Sequence, residues 1–553
     1  MQKFIAILLL LVTLSTSAQH PKKPNASEIY DAIEKLDFLG SVLYVAAHPD
    51  DENTRLISYM ANNVKARTAY LSLTRGDGGQ NLIGPEIREL LGVIRTQELL
   101  TAREIDGGEQ LFTRANDFGY SKHPDETLAI WNKNEVLSDV VLAIREFKPD
   151  VIINRFDHRS PGTTHGHHTG SAMLSVEAFD VANDPEAYKN QVKEFGTWQP
   201  QRLFFNTSYW FYGGQDKFEA ADKSHLLPID IGTYYPSKGK SNTEIASLSR
   251  SQHKSQGFGD TGTRGSSIDY VELIKGEMPI DKSNLFEGID TSWNRVKGGQ
   301  AIGVLLEQVK RDYDFKNPSA SIAALTKAYT LLQTIENDHW KTVKSKELKN
   351  IISACAGLYL EAVAHTAQLT VNDKVKLDLE IVNRSPQQMT LASVVIPNNL
   401  SISKNIVLLE NIKIELQETF TPSDKKVITT PYWLIEKGTL GMYKVSNKDL
   451  IGLPETPSYF NVTFNMSING IIIPYTKPVV YKTNDPVKGE TYKPFEIIPE
   501  ASVKIAEKVI IFENESAKEI PVIVKAGKDN LEGYASVKAP KGWNVLPKQQ
   551  KIN

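Results

Sequence analysis

Apolar and polar positions change rhythm along the chain, and each rhythm predicts a different kind of structure. From Leu36 to about Phe179, short apolar runs alternate with longer amphipathic stretches, the signature of βαβ units around a mainly parallel sheet. Strands are predicted at Ser41 to Ala47, Ala66 to Thr74 and Asp150 to Asn154. Pro85 to Ile105 carries Ile87, Leu90, Leu91, Ile94, Leu99 and Ala102 at near-helical spacing, with Pro85 suited to a first helical turn. A second helix is predicted from about Glu126 to Phe147, ending before Pro149.

Residues 180 to 290 are mixed, with an aromatic stretch at Tyr209-Trp210-Phe211-Tyr212 and a glycine-rich one at Gln256 to Gly265; they are expected to finish the first domain and shape its cleft. Helical periodicity then returns at Ile302, Leu305, Leu306 and Val309, and again at Ile322, Leu325, Ala328, Leu331 and Leu332. Beyond Ala367 the period becomes two: Val375, Leu377, Leu379 and Ile381 interleave with Lys376, Asp378 and Glu380, as in a β-sandwich. A further strand-rich stretch starts near Ala501, with about 50 residues where an immunoglobulin-like sandwich needs roughly 100. The predicted fold class is therefore α/β. A Rossmann-like, mainly parallel sheet with flanking helices is expected over 19–290, a helical connector over 291–366, a β-sandwich domain over 367–495 and a partial second one over 496–553.

Composition narrows the class of protein. The 553 residues are 41% hydrophobic and 23% charged, ordinary globular material for several domains. A net charge of -3 gives no electrostatic reason to expect a nucleic-acid or membrane-surface partner. Lys3, the apolar run Phe4 to Val12 and small residues up to Ala18 read as a cleaved signal peptide over 1–18, hence a secreted or periplasmic protein. That run falls well short of the roughly 20 residues a membrane span needs, so no stable anchor is expected. Cys355, the only cysteine, excludes a disulfide framework and a cysteine-based zinc site.

The chemistry concentrates in two clusters. Ala46-Ala47-His48-Pro49-Asp50-Asp51-Glu52 follows the apolar run Ser41 to Val45, and His165-Gly166-His167-His168 answers it later in the chain. Polar residues that end a buried strand project into the crevice where open α/β sheets place their ligands. His48 and Asp51 can face one cation there, and Asp50 can point at the water that cation holds. The remaining ligand is expected from the second cluster; four of the 11 histidines lie between His158 and His168. Histidine and carboxylate ligands suit zinc and other divalent transition metals alike. A lone His-Pro-Asp is more often a cap: His123-Pro124-Asp125-Glu126, with no strand before it, is expected to start a helix. The run Arg75-Gly76-Asp77-Gly78-Gly79-Gln80-Asn81 also follows a strand, either as a plain turn or as a cleft wall offering Arg75 and Asn81 to substrate hydroxyls. The Tyr209 to Tyr212 stretch fits a core, or a surface that stacks on a sugar.

On these residues the chain resembles the PIG-L/LmbE family of zinc-dependent N-acetylglucosaminyl deacetylases, in its large secreted bacterial form. The resemblance rests on A-H-P-D-D-E at Ala47 to Glu52 behind its apolar strand and on H-x-x-H at His165 to His168, and covers roughly 36 to 270. It implies Zn2+ held by His48, Asp51 and His168, with Asp50 as general base and His165 as oxyanion partner or acid. It further implies an N-acetylated sugar or glycoconjugate as partner, losing its acetyl group by hydrolysis. Where many relatives have H-P-D-H, this chain has His167 in place of an acidic residue, which opens another ligand assignment. Thr163 stands where some relatives place a tyrosine. The stretch Ala539 to Trp543 resembles a β-sandwich module attached to carbohydrate enzymes. The rival expectation is a non-catalytic, secreted carbohydrate-binding protein.

Overall fold

The computed structural model describes residues 23–423, 428–507 and 509–552; the segment 1–18, expected to be a signal peptide, lies outside them. The chain divides into two units. One comprises 24–355 together with 430–456, and the other comprises Lys23 and the described residues of 356–429 and 457–552. Among the described residues, no helix is long and apolar enough to cross a membrane.

The first unit is built on a seven-stranded sheet. β1 (Ser41–Ala46) pairs in parallel with β2 (Arg67–Ser72) on one side and with β4 (Val151–Asn154) on the other. β3 (Glu109–Phe112) extends the sheet beyond β2, and β5 (Arg202–Thr207) beyond β4, both in parallel. The strands Ile268–Gly276 and Leu226–Asp230 close that edge antiparallel, so the order is β3-β2-β1-β4-β5 followed by these two. The direction of strand addition reverses between β1 and β4, and this is the point at which open α/β sheets form a ligand crevice. Register aligns Ala46 with Ser72 and Val45 with Asn154, so the loops after β1 and β4 leave the sheet side by side.

β1 is buried throughout because its alternate residues feed two cores. Leu43 and Val45 meet Val136, Val140 and Ile144 of α5 (Lys133–Phe147) and Leu174 of α6 (Gly166–Val181). Val42 and Tyr44 meet Leu56, Ile57 and Met60 of α2 (Thr54–Asn62) and Leu99 of α3 (Glu89–Asp106). Each such side chain stabilises the fold by about 1.5–3 kcal/mol on full burial, which makes this strand a rigid base for the residues that follow it.

The helices depart from the sequence pattern in two places. α3 starts at Glu89, not Pro85, because Arg88 stands at φ +56 and the apolar Leu82, Ile83 and Ile87 before it are exposed, so no earlier turn is drawn onto the core. The helix expected from Glu126 to Phe147 is two: α4 (Pro124–Ile130) ends at buried Trp131, and Asn132 at φ +55 breaks the ladder before α5. His123 caps α4, its Nδ1 accepting the Asp125 N–H at 3.3 Å. Three later helices, Gln300–Arg311, Ile322–Leu332 and Asp338–Cys355, belong to the same unit as the sheet. They are tied to α1 (Ala26–Leu36) and its neighbours by Lys344 Nζ on the Lys35 carbonyl and Tyr313 OH on the Ala26 carbonyl.

The second unit carries mostly antiparallel sheets of five and four strands, with Val375, Leu377, Leu379 and Ile381 buried and their neighbours Lys376 and Asp378 exposed, as period two requires. Beyond 500, the hairpin Ala501–Ile505 with Val522–Ala526 leaves Val503, Ile505 and Ile523 exposed. Within the stretch 367–495, expected as one sandwich, residues 430–456 group instead with the α/β unit.

Candidate metal centre

The loops after β1 and β4 bring the two clusters together. The first is a tight turn in which the His48 N–H donates to Asp51 Oδ2 at 2.8 Å and the Asp50 N–H to Glu52 Oε2 at 2.9 Å. The second begins α6: His165 is its N-cap, with Nδ1 accepting the His167 N–H at 3.1 Å. Gly166 follows because a Cβ there would lie 2.6 Å from the His123 carbonyl oxygen and 2.7 Å from Ser121 Oγ, so α6 starts pressed against the α4 entry.

Donor atoms of His48, Asp51 and His168 lie within 4.8 Å of one another. His48 Nδ1 is 3.2 Å from Asp51 Oδ2, and His168 Nε2 is 3.4 Å from Asp51 Oδ1. Tetrahedral zinc ligands with bonds of about 2.0–2.2 Å stand about 3.3–3.6 Å apart, so the spacing and the donor set both suit such an ion. His168 Nδ1 is buried with no hydrogen-bond partner among the described residues, and its ring stacks on Phe156 at 3.9 Å. A second group, His48 with His165 and His167, meets the same distance limit. Here His48 Nε2 meets His167 Nδ1 at 2.9 Å. His167 is fully buried between Phe118 and Trp131, a place that suits a support better than a ligand open to substrate. When His48 Nε2 donates to His167, its Nδ1 lone pair is left facing Asp51.

Electrostatics separates the roles. Burial disfavours the charged Asp51 carboxylate, but His168 and His48 more than offset it and hold its pKa well below the usual range. Burial also opposes a proton on His48, yet the Asp51 and Asp117 carboxylates raise its pKa. Asp50 differs: burial pushes its pKa up to about 6 although Arg95 opposes the shift. His165 and His168 are each lowered to about 4 chiefly by burial, and His167 lower still, so all three rings are neutral at pH 7.

Several members of the site carry no local sequence signal. Arg95 of α3 pairs with Asp50 Oδ2 at 2.8 Å and donates to the Pro49 carbonyl. Glu52 is fully buried, paired with His253 Nε2 at 2.8 Å and Arg103 at 3.2 Å, and its pKa falls to about 2 because these partners outweigh burial. These partners lie up to 201 positions away in the chain, and only the packed sheet brings them in.

Arg75 and Asn81, read as offering hydrogen bonds to a substrate, are placed otherwise. Arg75 is fully buried: its terminal nitrogens serve Thr96 Oγ1, the Pro454 and Leu453 carbonyls and Tyr432 OH, and its guanidinium lies 3.5 Å above the Trp433 ring. Asn81 Nδ2 donates to Glu86 within its own loop, and its Oδ1 accepts the Ile83 N–H. Both terminal nitrogens of Arg75 are thus engaged inside the fold, and the Asn81 side chain is tied within its own loop. The aromatic stretch forms a short turn with Tyr209 and Trp210 more than half exposed, while Phe211 packs against the core. Phe211 lies edge-on to Phe156, and Tyr120, 73% exposed, stands 4.9 Å from the His165 ring, so aromatic faces flank the cluster on two sides.

Comparison with known proteins gives the same region. The family model described as PIG-L: GlcNAc-PI de-N-acetylase matches residues 43–179. The 1D-myo-inositol 2-acetamido-2-deoxy-alpha-D-glucopyranoside deacetylase of Kineococcus radiotolerans is 30% identical over 160 residues, 25% of this chain and 43% of that protein. The chain thus spans less than half the length of this curated relative. Among solved structures, the N,N'-diacetylchitobiose deacetylase of Pyrococcus horikoshii is 18% identical, with a TM-score of 0.25 over 30% of this chain and 59% of the other. The 4-carboxy-2-hydroxymuconate hydratase of Pseudomonas putida is 17% identical, with a TM-score of 0.30 over 44% and 99%. Residues 43–179, which contain both the His48 turn and the start of α6, are a PIG-L family domain.

Proposed function

We propose that this chain is a zinc-dependent hydrolase that removes the acetyl group from an N-acetylated sugar. The observation that carries the reading is the convergence of His48, Asp51 and His168 beside the partly buried Asp50 inside a PIG-L domain. The name of the curated relative, a deacetylase of an acetamido sugar, supports it, as do the exposed faces of Tyr120 and Trp210, since aromatic rings beside polar groups suit sugar rings.

Held by His48, Asp51 and His168, zinc would supply Lewis acidity toward the acetamide carbonyl and lower the pKa of water to about 7. Asp50 takes the proton of the attacking water, since a carboxylate raised to about 6 is ionised at neutral pH yet basic enough to accept it. His165 serves the oxyanion. Its Nδ1 already accepts a backbone N–H, so the proton of the neutral ring sits on Nε2 and can be donated. Asp50 then passes its proton to the departing nitrogen, and acetate and a free amine result.

The test is acetate release from a panel of N-acetylated glycans by the full chain, before and after chelation and zinc return. Asp50→Asn should keep its metal and lose about 10²–10⁴-fold in turnover. His168→Ala should lose the metal. An active Asp50→Asn enzyme would refute the mechanism, and glycan retention without any acetate release would favour a binding protein.

A further inference from the structure

Residues 430–456 leave the β-sheet unit after Thr429, pack as part of the α/β unit, and return at Pro457. Backbone hydrogen bonds seat this arm: Asn116 N–H to the Gly441 carbonyl and Tyr443 N–H to the Arg114 carbonyl, both 2.8 Å, and Phe112 N–H to the Gly452 carbonyl at 3.0 Å. Met442 enters the core against α5. At Gly441 a Cβ would lie 2.2 Å from the Ile130 carbonyl oxygen, so glycine permits the approach.

The arm's side chains close on the two residues that flank Gly76. Arg75 is held by the Pro454 and Leu453 carbonyls at 2.8 and 3.0 Å, by Tyr432 OH at 3.1 Å, and by the Trp433 ring beneath it. Asp77 accepts the Tyr443 hydroxyl at 2.5 Å. Between them the Gly76 carbonyl accepts Arg95 NH1 at 3.1 Å, and the other terminal nitrogen of Arg95 holds Asp50 Oδ2 at 2.8 Å. Gly76 itself stands at φ +74, where a Cβ would lie 2.5 Å from Arg95 NH1. A glycine-rich loop is costly to order by itself. With both neighbours gripped, the Gly76 carbonyl becomes a fixed acceptor for the buried Arg95 guanidinium, which also donates to the Pro49 carbonyl.

We infer that the arm is a positioning element for Asp50, acting through the Arg75–Asp77 loop and Arg95. This rests on the reading of Asp50 as general base, and two measurements separate the two ideas. Hydrogen exchange on the metal-free full chain needs no substrate: Tyr443→Phe should speed exchange about ten-fold both at 74–81 and at 47–52. On an acetylated glycan the same variant should lose about ten- to hundred-fold in kcat with KM within about two-fold, since misplacement of a catalytic group acts mainly on turnover. Combined with Arg95→Lys, the loss should be far less than additive, because both changes release the same carboxylate. Trp433→Leu, judged by the same readouts, keeps the inference refutable if Tyr443→Phe does not fold. Faster exchange confined to 74–81, or additive kcat losses, would overturn it. A panel without acetate release alongside the expected exchange would sink the deacetylase reading alone.

Discussion

At Asp50 the backbone adopts φ +94, a conformation that costs a non-glycine residue about 1–3 kcal/mol and persists only where its surroundings over-determine it. Those surroundings are named: Glu52 accepts its N–H, Arg250 donates to its carbonyl at 3.3 Å, and Arg95 holds its carboxylate. Asp77 is a second buried carboxyl of a different kind. Burial pushes its pKa up to about 7, with Asp117 adding to the rise and Tyr443 and Arg75 opposing it. A carboxyl whose folded pKa exceeds its unfolded value of 3.8 stabilises the fold fully below that value, and the contribution is lost as pH rises toward the folded pKa. Asp77→Asn cannot ionise, so its stability relative to the native chain should climb between about pH 4 and about pH 7 and level off above. Urea midpoints across that range measure it, and an advantage that shrinks with rising pH would contradict the assignment.

Among the elements, α6 matters most, because its first turn supplies His165, His167 and His168 at once. Its start is set by the contact of Gly166 with the His123 carbonyl and Ser121. Gly166→Ala should therefore push the turn outward and weaken metal binding by about ten-fold or more, while the far end of α6 stays packed. Competition with a metallochromic chelator reads this directly; unchanged affinity would show that the turn tolerates displacement. At this scale the sequence was informative where side-chain periodicity meets a buried face. β1, β2, β4 and the body of α3 follow from apolar spacing alone. The break at Asn132 and the late start of α3 did not, because a left-handed residue and an exposed apolar turn leave the periodicity intact.

For the molecule as a whole, the His48 and His165 clusters were legible because each couples a strand to chemistry that a core would not accept. What escaped the sequence is the work of distant segments. Arg75 looked like a cleft residue because it follows a strand beside glycines, yet the arm from 430–456 covers it and uses every terminal nitrogen. Nothing local marks Tyr432, Trp433 and Tyr443, set in a strand-rich stretch, as partners of a loop more than 350 positions away. His253 and Arg103, the partners of Glu52, escaped for the same reason: a buried charge finds its partners only once the sheet is assembled.

The most direct measurement is anomalous diffraction at the zinc edge from crystals of the full chain grown with zinc. The expected result is one strong peak about 2.0–2.2 Å from His48 Nδ1, an Asp51 carboxylate oxygen and His168 Nε2. A peak held instead by His48, His165 and His167, or none near Asp51 in a protein that carries stoichiometric zinc, would contradict it.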